Sequence, residues 1–381
     1  MERIYLDHAA TSPVHPKVAE EMSSFMTNTY GNPSSIHSFG RESRRLLDDA
    51  RAFIAKSIGA KPNELIFTSG GTEADNLAII GAVMGNKHKG NHIITTKIEH
   101  HAVLHTCQYL EQEGFHVTYL DVNEKGLISL EQLSAELTDQ TILVTIMYGN
   151  NEIGSIQPIH EIAKILADHP AVFHTDAVQA IGAVQIDVQE MNVDLLSMSA
   201  HKINGPKGTG FLYAKQGIRL SPLSFGGEQE LKRRAGTENV PGIIGMQKAL
   251  ELADLGREEK AEVYQDYKRT MLSIFNEEGI GYEVNGEMES ALPHVLNVYF
   301  KGTNVEQLLV NLDLSGVAAS SGSACTAGSI DPSHVLLAMF GKESERTKAS
   351  IRFSFGLGNT IEEIEKAANE TARIVKRLTT R

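Results

Sequence analysis

Residues 64–84, ELIFTSGGTEADNLAIIGAVM, decide the fold. Residues 64–68 form a short, apolar, β-rich run. Residues 72–84 then carry Leu77, Ile80 and Met84 at helical spacing. A continuous apolar strand that turns directly into an amphipathic helix is the repeating unit of a mostly parallel sheet covered on both faces. The same unit recurs downstream. HIIT at 92–95 precedes a helical stripe of Val103, Cys107 and Leu110, and TILVTIM at 141–147 precedes one of Ile162, Ile165 and Leu166. Further apolar runs stand at 171–174, 194–198 and 210–213.

Upstream, Pro16 suits a first helical position, and Val18, Met22, Phe25 and Met26 make a stripe behind it; Gly59 is placed to end a second helix. Past Pro241 the pattern changes. A long helix-forming stretch with a break near Gly256 runs to about Phe275. Strand and helix candidates follow at 295–300, 305–312, 317–320 and 351–355. A last helix starts at Ile361, behind a capping-box pair of Thr360 and Glu363. The expectation is an α/β chain with a large sheet domain over 15–255. A smaller α+β domain is expected to combine 1–14 with 256–381.

Composition narrows the function. The 381 residues carry 35 basic and 48 acidic side chains, a net charge of −13, which argues against sequence-independent binding of nucleic acid. The first residues, MERIYLDHAATSP, lack the apolar core of a signal peptide, and no run approaches the ~20 apolar residues of a membrane span. Two cysteines, Cys107 and Cys325, cannot build a disulfide scaffold or a four-thiolate zinc site. A cytoplasmic globular protein without a membrane partner is expected.

In an open α/β sheet, ligands collect outside the carboxyl ends of the strands. Ser69-Gly70-Gly71-Thr72 follows the first strand, where free backbone N–H groups open a helix: either a tight turn or a phosphate cradle. Glu99-His100-His101 follows the next, and the imidazoles serve as caps or stack on a planar ring. Asn150-Asn151 is a turn or a ligand contact. Asp176, with Gln179 nearby, caps a helix or pairs with a cationic ring nitrogen. Ser199-Ala200-His201-Lys202 is an exposed loop, or it places a lysine of lowered pKa to form a Schiff base. Taken together, a phosphate cradle, a carboxylate and a lysine at strand ends match the needs of pyridoxal 5'-phosphate (PLP). Cys107 sits on a core-facing stripe. Cys325 lies among small residues, SSGSACTAG, as an exposed nucleophile or an incidental thiol. Arg352 alternates with Ile351, Phe353 and Phe355, so it faces away from them, toward a salt bridge or a substrate carboxylate.

These segments resemble the NifS/IscS cysteine desulfurases of the class V aminotransferase family, fold-type I PLP enzymes. The likeness runs from YLDHAATSPVHP through GNPSSIHSFG, SGGTEADN, IEHHAV, NNEIG, HTDAVQ, SAHKINGPKG, RAGTEN and SSGSACTAG to IRFSFG. It implies that Lys202 holds PLP, that His100 stacks on its ring, that Asp176 pairs with the ring nitrogen and that Gln179 contacts the phenolic oxygen. It further implies that Gly71, Thr72, Ser199 and His201 hold the phosphate, with Thr237 supplied by the other subunit of a homodimer. Asn151 would stand beside cofactor and substrate, Arg352 would clamp the substrate carboxylate with Asn32 nearby, and Cys325, on a mobile loop over about 320–334, would accept the sulfur.

The implied reaction converts L-cysteine to L-alanine and leaves a persulfide on Cys325. Its acceptor would be an iron–sulfur scaffold protein or a tRNA-thiolating enzyme. The chain ends at Thr380-Arg381, shortly after its last helix, without the longer tail by which some members dock that scaffold. No resident metal is expected; transient contact of an iron–sulfur cluster with Cys325 stays open. The alternatives are a selenocysteine lyase, another PLP-dependent enzyme of the aminotransferase family, or a non-catalytic scaffold that kept the fold.

Overall fold

The computed structural model describes residues 3–322 and 332–380. Twelve strands are present among them: β1 (Ile4–Tyr5), β2 (Leu65–Thr68), β3 (His92–Thr96), β4 (His116–Leu120), β5 (Thr141–Thr145), β6 (Val172–Asp176), β7 (Leu195–Ser199), β8 (Gly210–Ala214), β9 (Tyr282–Val284), β10 (Val295–Phe300), β11 (Val317–Ala318) and β12 (Ser350–Ser354). Seven of them form one sheet in the order β2-β8-β7-β6-β5-β3-β4. Only β8 runs antiparallel to its neighbours; the pairs from β7 to β4 are parallel.

Helices cover both faces, which is why these strands read as unbroken apolar runs. On one face, Val18, Leu47, Ile54, Phe67, Val144, Phe211, Ile243 and Leu250 share a core. On the other, Ile66, Leu77, Ile79, Val83, Ile93, Cys107, Leu110 and Leu212 share a second. Cys107 is buried there, and burial pushes its thiol above the ordinary range.

The first helix, Pro16–Asn28, starts on its proline, and the next, Ser38–Ser57, ends just before Gly59 at φ 72°. The long helical stretch is two helices, Val240–Asp254 and Arg257–Glu277, separated at Gly256, whose φ of 76° lies in the left-handed region that glycine enters without strain. A third core lies beyond it. β9, β10 and β12 form an antiparallel sheet, covered by Arg257–Glu277 and the capped C-terminal helix Ile361–Thr379. Ile4 and Leu6 belong to this core, and β1 pairs in parallel with β11, so the N-terminal strand is built into the smaller sheet region. Residues 305–314 are helical. Strands β4 and β9 were not evident in the sequence, because His116–Leu120 mixes polar and apolar residues and Tyr282–Val284 is only three residues long.

Phe353 is fully buried in the small core. Phe353→Ala is expected to cost about 3–5 kcal/mol through lost burial and an unfilled cavity, read as a lower urea midpoint by circular dichroism.

Candidate active site

The sheet's carboxyl edge meets the small core at a cavity of about 350 Å³, within the range of small-molecule and cofactor sites. Of the residues singled out in the sequence, Gly71, Thr72, His100, Asn151, Asp176, Gln179, Ser199, His201, Lys202 and Arg352 line it together.

Lys202 closes the single 3-10 turn Ala200–Lys202 that follows β7. Its Nζ donates to the carbonyls of Ala9 (2.7 Å) and Ala10 (2.8 Å), so the N-terminal segment holds the ammonium against the cavity. Asp176 is the last residue of β6 and accepts the Val178 N–H at 2.9 Å. The Gln179 amide is fixed at both ends: its Nε2 donates to Ala9 O at 2.9 Å, and its Oε1 lies 3.1 Å from His294 Nε2. His100 caps the helix His101–Gln112, accepting the Ala102 N–H at 3.1 Å. The capping and cavity-wall roles thus belong to one residue.

At the other end of the cavity, the helix Gly71–Asn86 points its N-terminus inward. Gly70 precedes it at φ 147°, and a side chain on Gly71 would meet Val178 Cγ2 at 2.9 Å, so the turn demands small residues. Ser199 and His201 stand beside this end, and His201 Nδ1 lies 3.0 Å from Thr11 Oγ1. Unpaired N–H groups at the start of a sixteen-residue helix, with a hydroxyl and an imidazole alongside, suit an anion.

Arg352 reaches the third wall from β12. It is 2% exposed, pairs with Asp7 through Nη2 at 2.6 Å and donates from Nη1 to Asn151 O at 2.9 Å. Among the described residues its Nε has no hydrogen-bond partner. An orphaned guanidinium donor lining a cavity fits a ligand carboxylate, so the salt bridge and the ligand contact use different nitrogens of one group.

Within the chain, the cavity wall does not include Asn32 or Thr237, both of which are exposed. Cys325 lies outside the described residues. Ala9, Ala10, Asp75, Glu152 and His334 are wall residues that reading the sequence for chemistry did not single out. Asp75 and Glu152 stood inside the quoted segments SGGTEADN and NNEIG, where neighbouring polar residues masked them. Ala9 and Ala10 contribute through backbone carbonyls and leave no such signal.

Burial governs the electrostatics. It lowers His100 and His201 to about 4, with the Lys202 charge acting the same way, and lowers His174 and His294 to about 3. It raises Asp176 to about 6, opposed by the Val178 N–H and by Lys202.

A lysine, a carboxylate, an imidazole and a helix N-terminus thus surround one cavity at the carboxyl edge of an α/β sheet. The profile of the class-V aminotransferase family matches residues 4–367. IscS 1 of Bacillus subtilis (strain 168) is 62% identical over 379 residues, covering 100% of each chain. Among solved structures, a NifS-like protein superposes with a TM-score of 0.92 at 35% identity, covering 98% of this chain and 100% of its own. SspA in complex with cysteine superposes with a TM-score of 0.80 at 38% identity, covering 92% and 98%. The chain belongs to the class-V aminotransferase family and, within it, to the cysteine desulfurases of the IscS/NifS type. Enzymes of this family use PLP. Among the described residues no helix is long and apolar enough to cross a membrane.

The buried imidazoles make a pH prediction. His8, His100, His174, His201 and His294 are all lowered to about 3–4 from 6.5. At these imidazoles the unfolded chain therefore binds more protons than the native one below about pH 6.5. Their stabilising contribution is complete above that pH and is lost as pH falls toward about 4. The buried carboxyls Asp75, Glu99, Glu152 and Asp176 are raised and take up protons in the native state over the same window, which offsets this loss. The imidazole share is therefore read by difference: apoprotein His294→Gln should lose stability less steeply than wild type as pH falls from about 6.5 to about 4, by up to about 1.4 kcal/mol per pH unit, and identical slopes would contradict the assignment.

Proposed function

We propose that this chain removes sulfur from L-cysteine as a persulfide on Cys325, releasing L-alanine, with PLP carried on Lys202. One observation bears most of the weight: Lys202, Asp176, His100 and Arg352, from four separate segments, line a single cavity of cofactor size. The cysteine-bound relative supports the choice of substrate.

The residues fit the cofactor. The helix start at Gly71 and Thr72, with Ser199 and His201, receives its phosphate, and Thr237 of a second copy completes this cradle in a homodimer. Asp176 would hold the ring nitrogen, Gln179 would hold the phenolic oxygen, and His100, neutral at physiological pH, would stack on the ring. When bound, PLP stores the electrons released from the substrate Cα–H bond, which weakens the bond between Cβ and sulfur.

The chain's own groups perform the remaining work. Arg352 holds the substrate carboxylate through the nitrogen left without a partner among the described residues, with Asn151 beside it and Asn32 nearby. Lys202 Nζ takes the α-proton and later returns a proton to the substrate carbons. The Cys325 thiolate attacks the substrate sulfur. The S–S bond forms as the C–S bond breaks, and the electron pair left on carbon is protonated to the methyl group of alanine. The persulfide then passes to an acceptor protein of the cytoplasm, either an iron–sulfur scaffold or a tRNA-thiolating enzyme. Transfer of radiolabelled sulfur to each distinguishes the two.

Lys202→Ala is expected to lose the borohydride-sensitive yellow chromophore and to lower alanine formation by at least about 10²–10⁴-fold. Cys325→Ser should keep the chromophore and its spectral response to L-cysteine while losing persulfide. Sulfide release that survives in Cys325→Ser would point instead to a lyase that needs no thiol. Arg352→Gln should lower kcat/KM by about 10–100-fold, the loss of a charge-assisted contact.

A further inference from the structure

Beneath the cavity lies a polar layer that the reaction above leaves unused. Asp75, on the buried face of the helix Gly71–Asn86, is 1% exposed and lines the cavity. Among the described residues its Oδ1 has no hydrogen-bond partner. The nearest basic atom is His174 Nε2 at 3.7 Å, too far for a hydrogen bond and already engaged. His174 Nε2 lies 3.0 Å from Ser197 Oγ, and its Nδ1 lies 2.8 Å from Thr145 Oγ1. Burial keeps that imidazole uncharged, so it offers Asp75 no cation.

The charged groups around Asp75 are arranged unequally. Asp176 and His174 face it from β6, and Glu99 faces it from the turn before the helix His101–Gln112. Asp176 has a backbone N–H and the Lys202 ammonium to stabilise its charge. Complete burial, and next to it repulsion from Asp176, hold Asp75 well above the carboxylate range, with the Ser197 hydroxyl acting the other way; Glu99, itself raised to about 8 by burial, adds little charge at neutral pH. Two desolvated carboxyls that repel each other do not both ionise, and the proton settles on the one with fewer donors.

We propose that Asp75 and Asp176 form a carboxyl pair sharing one proton, carried by Asp75, so that the floor of the cofactor cavity bears one negative charge rather than two. Asp75 is a positioning residue: it acts on a bound pyridinium only through Asp176. A neutral Asp75 keeps the ring nitrogen opposite a single carboxylate, and its O–H belongs to the row Thr145, His174, Ser197. The proposal rests on the PLP reading for its consequence, but not for its protonation state, which the apoprotein carries as well.

The test is infrared spectroscopy of the apoprotein at neutral pH, comparing wild type with Asp75→Asn. The expected result is a carbonyl stretch of a protonated carboxylic acid that disappears in the variant. Absence of that band in wild type overturns the proposal. In the holoenzyme, Asp75→Asn, a neutral isostere, should leave PLP affinity within about threefold and the pH midpoint of the visible band within about half a unit, since one pH unit corresponds to tenfold. A loss of tenfold or more would mean that Asp75 is ionised. Should Asp75→Asn not fold, Asp176→Asn gives an independent answer: with the neighbouring charge gone, the Asp75 band should titrate away at lower pH than in wild type, and an unchanged titration would refute the coupling. A wild-type holoprotein with no visible chromophore would sink the PLP reading while leaving the infrared result standing.

Discussion

The ion pair between Arg352 and Asp7 is the joint on which the site depends. It is 2.6 Å long and joins residues 345 positions apart. Arg352 comes from the small sheet, Asp7 from the N-terminal segment, and Asn151, whose carbonyl accepts from the other amino group, from the turn that follows β5. An arginine buried this deeply has to be paired, because an uncompensated charge there would cost several kcal/mol. The pairing fixes the guanidinium in the cavity wall. The same segment continues into Ala9 and Ala10, whose carbonyls hold Lys202. One crossing of the chain therefore positions the two cationic groups, Lys202 and Arg352, that line the cavity.

The second constraint is desolvation. Around the cavity, burial acts in opposite directions on acids and bases, lowering imidazoles and raising carboxyls. The result is a nearly neutral pocket in which Lys202 and Arg352 are the prominent charges and Asp176 the chief counter-charge. Such a pocket suits a ligand that carries an anionic group toward the helix start at Gly71, a carboxylate toward Arg352 and a basic nitrogen toward Asp176. In that setting the buried Asp75, without a cation of its own, makes sense as a proton carrier.

Much of this was legible in the sequence. The strand-then-helix unit at 64–84, the break at Gly256, the cap at Thr360 and the inward side of Arg352 all follow from periodicity and capping among residues a few positions apart. The lysine behind β7 and the carboxylate at the end of β6 could be chosen because strand ends are where an α/β sheet exposes chemistry. His116–Leu120 could not be read so, since its edge position leaves polar side chains on a strand that pairs on one side only.

By itself, then, the sequence determined most of the strands and helices, the family and the identity of the groups able to react, because each of these is encoded in local pattern and residue type. Only the tertiary structure decided that Asp7 meets Arg352, that two alanine carbonyls hold Lys202, and that Asp75 is buried in the same cavity wall as Asp176 with one oxygen unpartnered among the described residues. Those facts depend on which surfaces the chain brings together after collapse. A backbone carbonyl or an unpaired oxygen acquires meaning only when its neighbours and its distance from water are known.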